Sequence, residues 1–199
     1  MRAYTVAAIL AGGRGARLGG VTKPLVVVDG ARIIDRQIAV LGPLVDEIVL
    51  LANDARPYET LGLRVIADRR EGAGPLAGLE AALLATEAEA LLLVGGDMPF
   101  LSAAALALVL ERVPGADAVV PFAHGRAEPL HARYHRRIVD RVRDRLDRGE
   151  REMRRLLDDL DVIAVEEAEL RVASPELLTL VNVNTPDDLK RLGARLPRR

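Results

Sequence analysis

Cysteine and tryptophan are missing from this chain of 199 residues, and aromatic residues make up only 3% of it. The absence of cysteine excludes a disulfide framework, thiolate metal sites and a cysteine nucleophile. The shortage of aromatic side chains argues against stacking platforms for single-stranded nucleic acid. Because 28 basic residues face 29 acidic ones, for a formal net charge of −1, the chain also lacks the basicity of a protein that coats nucleic acid. These absences predict a small ligand and no nucleic-acid partner.

Long hydrophobic runs are missing as well. The first apolar run, Val6 to Ala11, passes straight into glycines. It is far shorter than the roughly 20 apolar residues of a membrane span or the core of a secretory leader. We therefore expect no membrane partner, a mature chain that begins near Met1, and a cytoplasmic location. The length predicts a single domain over residues 1–199, since domains commonly run to about 100–200 residues.

Short apolar runs alternate with amphipathic helical stretches along the first 120 or so residues. This alternation is typical of βαβ units, and it predicts an α/β fold with a doubly wound, mostly parallel sheet. The predicted strands are Thr5–Leu10, Glu47–Ala52, Leu63–Ala67, Ala90–Val94, Ala118–Pro121, Leu130–Tyr134 and Val162–Val165.

The predicted helices carry apolar residues at three- and four-residue spacing. They are Ile33–Leu41, Leu76–Ala85, Ala103–Val113 with Ser102 as its cap, Arg136–Leu146, Arg151–Leu160, and a last helix that begins at Pro186 with Thr185 as its cap. The arginine-rich stretch from Arg133 to Arg155 is interlaced with Asp and Glu. We interpret it as a solvated helical face and not as a nucleic-acid patch.

Glycine or polar residues follow four of the predicted strands. They are Gly12-Gly13, Asn53-Asp54, Asp68 and Gly95-Gly96-Asp97. Each group alone has the composition of an ordinary turn. In open α/β sheets, however, ligands bind outside the carboxyl ends of the strands. Together the four groups therefore predict one binding site at this edge of the sheet.

The first of these turns is the glycine-rich segment LAGGRGARLGG at residues 10–20, followed by Lys23. Lysine is rare here, since the chain has only one other, Lys190. Bare backbone N–H groups, with the three charges of Arg14, Arg17 and Lys23, predict a triphosphate cradle. A dinucleotide fingerprint would need glycine at Leu18, and a P-loop would need Gly-Lys-Ser/Thr where the chain has Val21-Thr22-Lys23-Pro24. A flexible surface loop is the alternative.

Asp97 follows the apolar run Leu91 to Val94 and two glycines, so a rigid strand end would present its carboxylate. We predict that it binds Mg²⁺, because one well-placed carboxylate suffices when phosphate oxygens and waters complete the shell. The alternative is a turn aspartate that caps the next helix, but Ser102 already provides that cap. Asp68 is either a further contact of the same site or a plain turn residue.

Histidine is too sparse to build a metal site or a catalytic triad. His131 and His135 are four residues apart, but no Glu follows His131 as a zinc-protease helix would require. Both residues also fall in or beside a predicted strand. We expect no zinc site and no Ser/His/Asp triad.

The motifs of the chain resemble those of the molybdenum cofactor guanylyltransferases, within the wider group of GT-A-like nucleotidyltransferases. The resemblance covers most of the chain. The glycine-rich opening marks the wider group, and later motifs narrow it to the family. Those motifs are Gly74-Pro75-Leu76-Ala77-Gly78, Glu128-Pro129-Leu130-His131 and Asn182-Val183-Asn184-Thr185-Pro186, and Gly96-Asp97-Met98-Pro99 is a further anchor of the resemblance.

The resemblance implies transfer of GMP from Mg·GTP to the terminal phosphate of molybdenum-loaded molybdopterin, with release of pyrophosphate. It implies a Rossmann-like domain of the nucleotide-diphospho-sugar transferase type, with Mg²⁺ as cofactor. Molybdoenzymes or cofactor-insertion proteins would be partners. Lys23, Arg17 and Asp97 match catalytic positions, Asp97 also the metal position, and Asn182 and Asn184 the acceptor positions. The positions matching nucleotide contacts are Leu10, Ala11, Gly12, Gly13, Lys23, Asn53, Asp68, Gly74, Gly78 and Asp97.

Two features depart from the pattern of relatives. Members of the wider group often pair the strand-end aspartate with a second carboxylate near the C-terminus, where this chain has Asn182 and Asn184, so we expect one Mg²⁺. Several family members have arginine where this chain has Gly15 or Ala16. Three alternatives stay open: transfer from CTP, transfer to a cobinamide phosphate, and a non-catalytic nucleotide-binding carrier of the cofactor. A pure carrier would have no need for both a lysine and a metal-binding carboxylate.

Overall fold

A central β-sheet organises the structure, a computed structural model that describes residues 4–12, 22–70, 72–112 and 115–192. The strands are, in chain order, β1 (Thr5–Leu10), β2 (Val27–Val28), β3 (Ala31–Arg32), β4 (Glu47–Leu51), β5 (Arg64–Ile66), β6 (Ala90–Gly95), β7 (Ala118–Ala123), β8 (Arg126–Ala127), β9 (His131–His135) and β10 (Val162–Val165). Strands β2 and β3 pair only with each other, as an antiparallel hairpin. The other eight form the sheet.

The strand order in the sheet is β10-β7-β9-β6-β1-β4-β5, and β8 pairs with β7. Strand β1 is parallel to β4 and β6, β4 to β5, and β7 to β10. Strand β9 is antiparallel to both of its neighbours, and β8 is antiparallel to β7. The predicted mostly parallel sheet is therefore confirmed. The register pairs Leu10 with Leu51 and with Gly95, which brings the carboxyl ends of three parallel strands together.

The α-helices are α1 (Ile33–Leu41), α2 (Pro75–Ala85), α3 (Ala103–Glu111), α4 (Val139–Asp147), α5 (Met153–Leu156), α6 (Glu167–Ala173) and α7 (Pro186–Arg191). Short 3₁₀ helices cover Lys23–Leu25, Arg56–Leu61, Arg136–Ile138, Leu157–Asp159 and Leu178–Leu180. Both predicted caps are confirmed. The Ser102 hydroxyl accepts from the Ala105 N–H at 3.3 Å, and the Thr185 hydroxyl from the Asp188 N–H at 3.1 Å. No helix in the described ranges is long and apolar enough to span a membrane.

The second half differs from prediction in several elements. The helix predicted over 136–146 begins with a 3₁₀ turn, at whose start the imidazole of His135 accepts a hydrogen bond from the Arg137 N–H at 3.1 Å. The helix predicted over 151–160 is split into a four-residue α5 and a 3₁₀ turn. Helix α6, strand β8 and the hairpin β2–β3 were not predicted. Helix α6 begins at a capping box formed by Glu166 and Glu169.

Alternation along β1 places side chains in two cores, one on each face of the sheet. Val6 and Ala8 pack with residues of α2, α4 and α5, whereas Ala7 and Ile9 pack with residues of α1, α3 and α6. Helices thus cover both faces, which explains why the buried strands are almost continuously apolar. A third, smaller cluster joins the hairpin to the C-terminal segment; its buried members are Val26, Val28, Ile33 and Val183.

The interpretation of the arginine-rich stretch is correct for part of it. Arg137 and Arg141 are exposed and both pair with Asp117, at 2.5 and 2.7 Å. The interpretation is wrong for Arg133 and Arg145, which are buried. Arg133 lies on β9 inside the sheet and donates to the Arg112 carbonyl at 3.1 Å, and the Arg145 side chain is enclosed between two carboxylates.

Candidate active site

A cleft of about 1000 Å³ opens at the carboxyl ends of β1, β4 and β6. We call it the strand-end cleft. Four of the predicted groups lie along it, as expected from the rule that ligands bind at this edge of an open sheet. Its lining includes Leu10, Ala11, Gly12, Lys23, Asn53, Asp68, Gly74, Gly96 and Asp97.

Asp97 is presented by a tight turn that directly follows β6. The turn runs from Gly95 to Met98 and is closed by the Met98 N–H, which donates to the Gly95 carbonyl at 3.3 Å. The Gly96 N–H donates to the Leu10 carbonyl at 3.1 Å, so the turn lies directly against the end of β1. A Cβ at position 96 would lie 2.5 Å from that carbonyl oxygen, which explains why glycine is needed there.

Lys23 faces Asp97 across the cleft floor. Its Nζ lies 3.0 Å from Asp97 Oδ2, and the two side chains are 27% and 20% exposed. The same ammonium donates to the Asn184 side-chain oxygen. Lys23 begins a 3₁₀ turn whose Pro24 is buried against Gly96, and this contact places the lysine beside the turn of Asp97. The ion pair is accessible enough to exchange partners with a ligand.

The C-terminal segment reaches the same place from the opposite side. The Val183 N–H donates to the Asp97 carbonyl at 2.8 Å, while the Val183 side chain is buried. The backbone N–H of Asn184 donates to Asp188 Oδ2 at 3.0 Å, which ties the segment to the first turn of α7. Asn184 thus reaches Lys23 from a fixed backbone. The amide nitrogen of Asn182 instead donates to the Leu180 carbonyl at 3.4 Å, so the two amides have different partners.

Asn53 and Asp68 form the other wall of the strand-end cleft. The Asn53 side-chain oxygen accepts a hydrogen bond from the Asp68 N–H at 2.8 Å and so joins the ends of β4 and β5. Burial raises the pKa of the Asp68 carboxyl, and hydrogen bonding from the Asn53 side chain partly offsets this rise. The wall therefore presents a carboxylate and an amide to any base that enters.

An ion-pair network holds the loop between Asp68 and α2. Arg70 donates to Glu80 at 3.2 Å and to Asp147 at 2.6 Å, and Glu80 is buried. The loop thereby connects α2 with α4. It ends at Gly74, which has a φ of 71° and lines the cleft just before the first turn of α2. A residue with a side chain would be strained in that conformation.

Gly78 lies beneath the cleft floor. It is buried in α2, and a Cβ there would lie 2.7 Å from a Leu10 methyl and 3.3 Å from a Leu51 methyl. The glycine therefore allows α2 to pack closely against β1 and β4. A direct contact between Gly78 and a nucleotide stays a prediction. Gly13 and Arg17, and the rest of the segment between Gly12 and Thr22, lie outside the described residues.

Two site residues were missed by the sequence analysis. The buried Tyr58 donates its hydroxyl to the Ala11 carbonyl at 2.8 Å, and burial raises its pKa well above the ordinary range, so it stays a neutral donor. Gln37 is fully buried on α1 and donates to the turn of Asp97. Its sequence signal was a polar residue on the apolar face of the predicted helix Ile33–Leu41.

The expectation that the histidines form no metal site can be compared with the structure. His131 is fully buried, and burial lowers its pKa to about 4. Within the described ranges no group of three or more His, Cys, Asp or Glu side chains could hold a metal ion. A metal at the strand-end cleft would have to take most of its ligands from substrate and water, as Mg²⁺ does with nucleotides.

A doubly wound sheet with a lysine and an aspartate at the strand-end cleft defines the class, an α/β nucleotide-binding enzyme. The chain belongs to the MobA-like NTP transferase domain family, whose profile matches residues 7–165. It is therefore a nucleotidyltransferase, and the resemblance inferred from the motifs is confirmed.

The chain is also similar over nearly its whole length to individual proteins of known name or structure. The chain is 35% identical to a probable molybdenum cofactor guanylyltransferase of Methanosarcina mazei, over 96% of this chain and 91% of the relative. It is also 35% identical to a molybdenum cofactor guanylyltransferase of Mesorhizobium japonicum, over 98% and 97%. Among solved structures, molybdopterin-guanine dinucleotide biosynthesis protein A from Archaeoglobus fulgidus superposes with a TM-score of 0.80 at 30% identity, over 94% of this chain and 96% of that one.

Proposed function

We propose that this nucleotidyltransferase transfers GMP from Mg·GTP to molybdenum-loaded molybdopterin, forming the guanine dinucleotide cofactor and pyrophosphate. One observation carries the proposal: Lys23 Nζ lies 3.0 Å from Asp97 Oδ2 on the floor of the strand-end cleft. An ammonium suits phosphate oxygens, and an adjacent carboxylate suits the metal that accompanies them. The names of the relatives support guanine as the base and molybdopterin as the acceptor.

The donor set at Lys23 fits Mg²⁺. The lysine ammonium contacts one carboxylate oxygen, of Asp97, and one amide oxygen, of Asn184. Both oxygen atoms face the lysine ammonium, and hard oxygen atoms are the ligands that Mg²⁺ takes from a protein. Phosphate oxygens and waters fill the other coordination positions. Asp97 would hold the ion. When bound, Mg²⁺ neutralises phosphate charge and fixes the orientation of the triphosphate.

The protein's own groups would bind and align the phosphates. In this proposal Lys23 turns from Asp97 to the triphosphate, and Leu10, Ala11 and Gly12, which line the cleft, form the start of the cradle. Tyr58 stabilises that start, because its hydroxyl bonds the Ala11 carbonyl. Gly13 and Arg17 belong to the same glycine-rich segment and remain predicted contacts.

Transfer by this arrangement needs no general base. An oxygen of the acceptor phosphate is already anionic and attacks the α-phosphorus of GTP. The bond from that phosphorus to the bridging oxygen of the β-phosphate breaks, and pyrophosphate leaves with the electron pair. The site contributes alignment of the two phosphates and positive charge around them.

Base recognition would fall to the wall that Asn53 and Asp68 form. Guanine presents an N1–H and an exocyclic amine, and the Asp68 carboxylate accepts hydrogen bonds from such donors. Cytosine also has an exocyclic amine, so the assignment to guanine depends on the relatives. Asn182 and Asn184 are assigned to the acceptor, and Asn184 contacts the Lys23 ammonium.

Pyrophosphate release is the decisive measurement. The protein is incubated with GTP, CTP, ATP or UTP, with Mg²⁺ or EDTA, and with molybdenum-loaded molybdopterin, a cobinamide phosphate or no acceptor, and products are identified by mass. We expect pyrophosphate and a new dinucleotide only when GTP, Mg²⁺ and molybdopterin are all present. Transfer from CTP, transfer to a cobinamide phosphate in place of molybdopterin, or binding of the dinucleotide without turnover would each overturn the proposal.

A further inference from the structure

Gln37 is a polar residue inside an apolar core. It lies on the face of α1 that also carries Ile34 and Leu41, and all three side chains are fully buried. The surrounding cluster fills the space between α1, α3 and the sheet. Packing alone would be served by an apolar side chain of similar volume, since burying an amide costs free energy unless it is hydrogen-bonded.

The Gln37 amide holds both ends of the turn that carries Asp97. Its nitrogen donates to the Gly95 carbonyl at 2.7 Å and to the Met98 carbonyl at 3.0 Å. These are the first and last residues of the turn, and the Met98 N–H closes it by donating to the Gly95 carbonyl. The two N–H groups of one amide therefore hold Gly95 and Met98 in place, and Asp97 lies between these two residues.

The oxygen atom of the same amide does not hold the turn. Among the described residues, nothing donates to Gln37 Oε1, although the atom is buried. The unmatched acceptor adds a cost that a methionine or leucine would avoid. What distinguishes glutamine at this position is thus the pair of bonds that it donates to the turn.

The other hydrogen bonds that hold this turn come from the backbone. The Gly96 N–H bonds the Leu10 carbonyl, and the Asp97 carbonyl accepts from the Val183 N–H. In the described part of the chain, Gln37 is the side chain that bonds the turn's backbone carbonyls. A substitution of Gln37 can therefore move Asp97 although the substituted residue does not line the strand-end cleft.

We propose that Gln37 is a positioning residue: it clamps the Gly95–Met98 turn so that the Asp97 carboxylate points at Lys23 and at the position of the metal. The part of this inference that concerns transfer rests on the proposed function. The part that concerns the Lys23–Asp97 contact does not. Gln37 itself is not assigned a contact with substrate, because its side chain is fully buried and does not line the strand-end cleft.

The test uses Gln37→Met, which keeps the length of the side chain and removes both donors. Leu41→Ala is the matched control, because it truncates a fully buried side chain on the same face of α1 that has no donor to offer the turn. If Gln37→Met fails to fold, Gln37→Leu replaces it, since leucine also lacks both donors and suits an apolar core. Circular dichroism and thermal melting establish that each variant is folded at the temperature used.

The first readout is the NMR signal of the lysine side chains. The chain has two lysines, Lys23 and Lys190, so protein labelled with [ε-¹³C]lysine gives two side-chain signals to assign. Asp97→Asn defines the Lys23 shift when the ion pair is lost. We expect Gln37→Met to move the Lys23 signal toward that position and Leu41→Ala to leave it in place. An unmoved signal, or an equal move in the control, overturns the proposal.

The second readout is the Mg²⁺ concentration that gives half-maximal transfer. We expect it to rise by about tenfold in Gln37→Met, whereas the affinity for GTP in EDTA stays unchanged. A moved Lys23 signal with an unaltered Mg²⁺ requirement also overturns the role. If the wild-type protein shows no transfer at all, the proposed function has failed, and the lysine signal alone then decides whether Gln37 positions Asp97.

Discussion

Lys23 Nζ lies 3.0 Å from Asp97 Oδ2, although 74 residues separate them along the chain. They meet because β1 and β6 are neighbours with Leu10 opposite Gly95, and because Pro24 packs against Gly96. In the absence of ligand each charge compensates the other. A nucleotide with its metal would separate the pair and give each group a partner of opposite charge.

Replacing Asp97 by Asn should abolish Mg²⁺-dependent transfer while the protein stays folded. The substitution keeps the shape of the side chain and removes the charge that would hold the ion. Pyrophosphate release measures the loss, and circular dichroism measures the fold. Asp158→Asn is a suitable control, since Asp158 is exposed and is not part of the cleft lining. Full activity in a folded Asp97→Asn protein would refute the metal assignment.

The two lysines permit a second comparison. Lys23→Ala should weaken GTP binding by roughly tenfold to a hundredfold, because hydrogen bonds to charged groups contribute about 1.5–3 kcal/mol. Lys190→Ala removes the same charge from α7, where the side chain is 82% exposed, and should leave binding unchanged. Isothermal titration with GTP provides both numbers. Equal affinities in the two variants would show that the ammonium of Lys23 does not bind phosphate.

The sheet could be predicted from sequence because its longer strands are short apolar runs, and four of the predicted strands are followed by glycine, asparagine or aspartate. The predicted bounds of Thr5–Leu10 and Val162–Val165 are those of the structure. Helix α6 was missed because Leu170 is its only buried residue, so the sequence shows little helical periodicity. Local hydrogen bonds decided its position, and apolar patterning does not reveal those.

The site was predictable only in part. The strand-end rule brought Asp97, Asn53 and Asp68 together, since each follows a parallel strand. It could not reveal the partners of Gln37 and Tyr58, because both bind backbone carbonyls, which every residue has. The polar Gln37 on an apolar helix face indicates a buried partner, but which carbonyl it bonds depends on how the elements pack.

Gly96 gives a prediction about packing at the site. Gly96→Ala would place a Cβ 2.5 Å from the Leu10 carbonyl oxygen and 2.8 Å from a Pro24 ring carbon, so backbone must move. We expect a loss of about 1–3 kcal/mol in the free energy of unfolding, as for other overpacked positions, together with a loss of transfer. Gly115→Ala is the control, because none of the residues that the structure describes lies within 4 Å of its added Cβ. Urea unfolding curves of equal midpoint for the two variants would contradict the expectation.

Asn182 and Asn184 can be separated because their partners differ. Asn182→Ala should lower the affinity for molybdopterin roughly two- to tenfold, the effect of one lost hydrogen bond, and leave GTP affinity unchanged. Asn184→Ala should reduce both affinities, since Asn184 contacts the Lys23 ammonium. Each variant serves as the control for the other. Unaltered molybdopterin affinity in Asn182→Ala would remove that residue from the acceptor site.

His131 predicts how stability depends on pH. Its ring is fully buried, with Nε2 3.5 Å from the Thr179 hydroxyl, and burial lowers its pKa to about 4 from an ordinary 6.5. The unfolded chain therefore takes up a proton at this residue at a higher pH than the folded chain does. Above about pH 6.5 both states are neutral and folding carries no penalty from this group.

As the pH falls from about 6.5 to 4, protonation favours the unfolded state, and stability is lost over that window. The loss assigned to His131 is about 3 kcal/mol, at roughly 1.4 kcal/mol for each unit of pKa difference. The wild type also loses stability through its carboxylates, so the measurement is the difference in unfolding free energy between wild type and His131→Gln at each pH. That difference should shift by about 3 kcal/mol between pH 7 and pH 4. A curve for His131→Gln that runs parallel to that of the wild type would mean that the folded protein protonates His131 as readily as the unfolded chain.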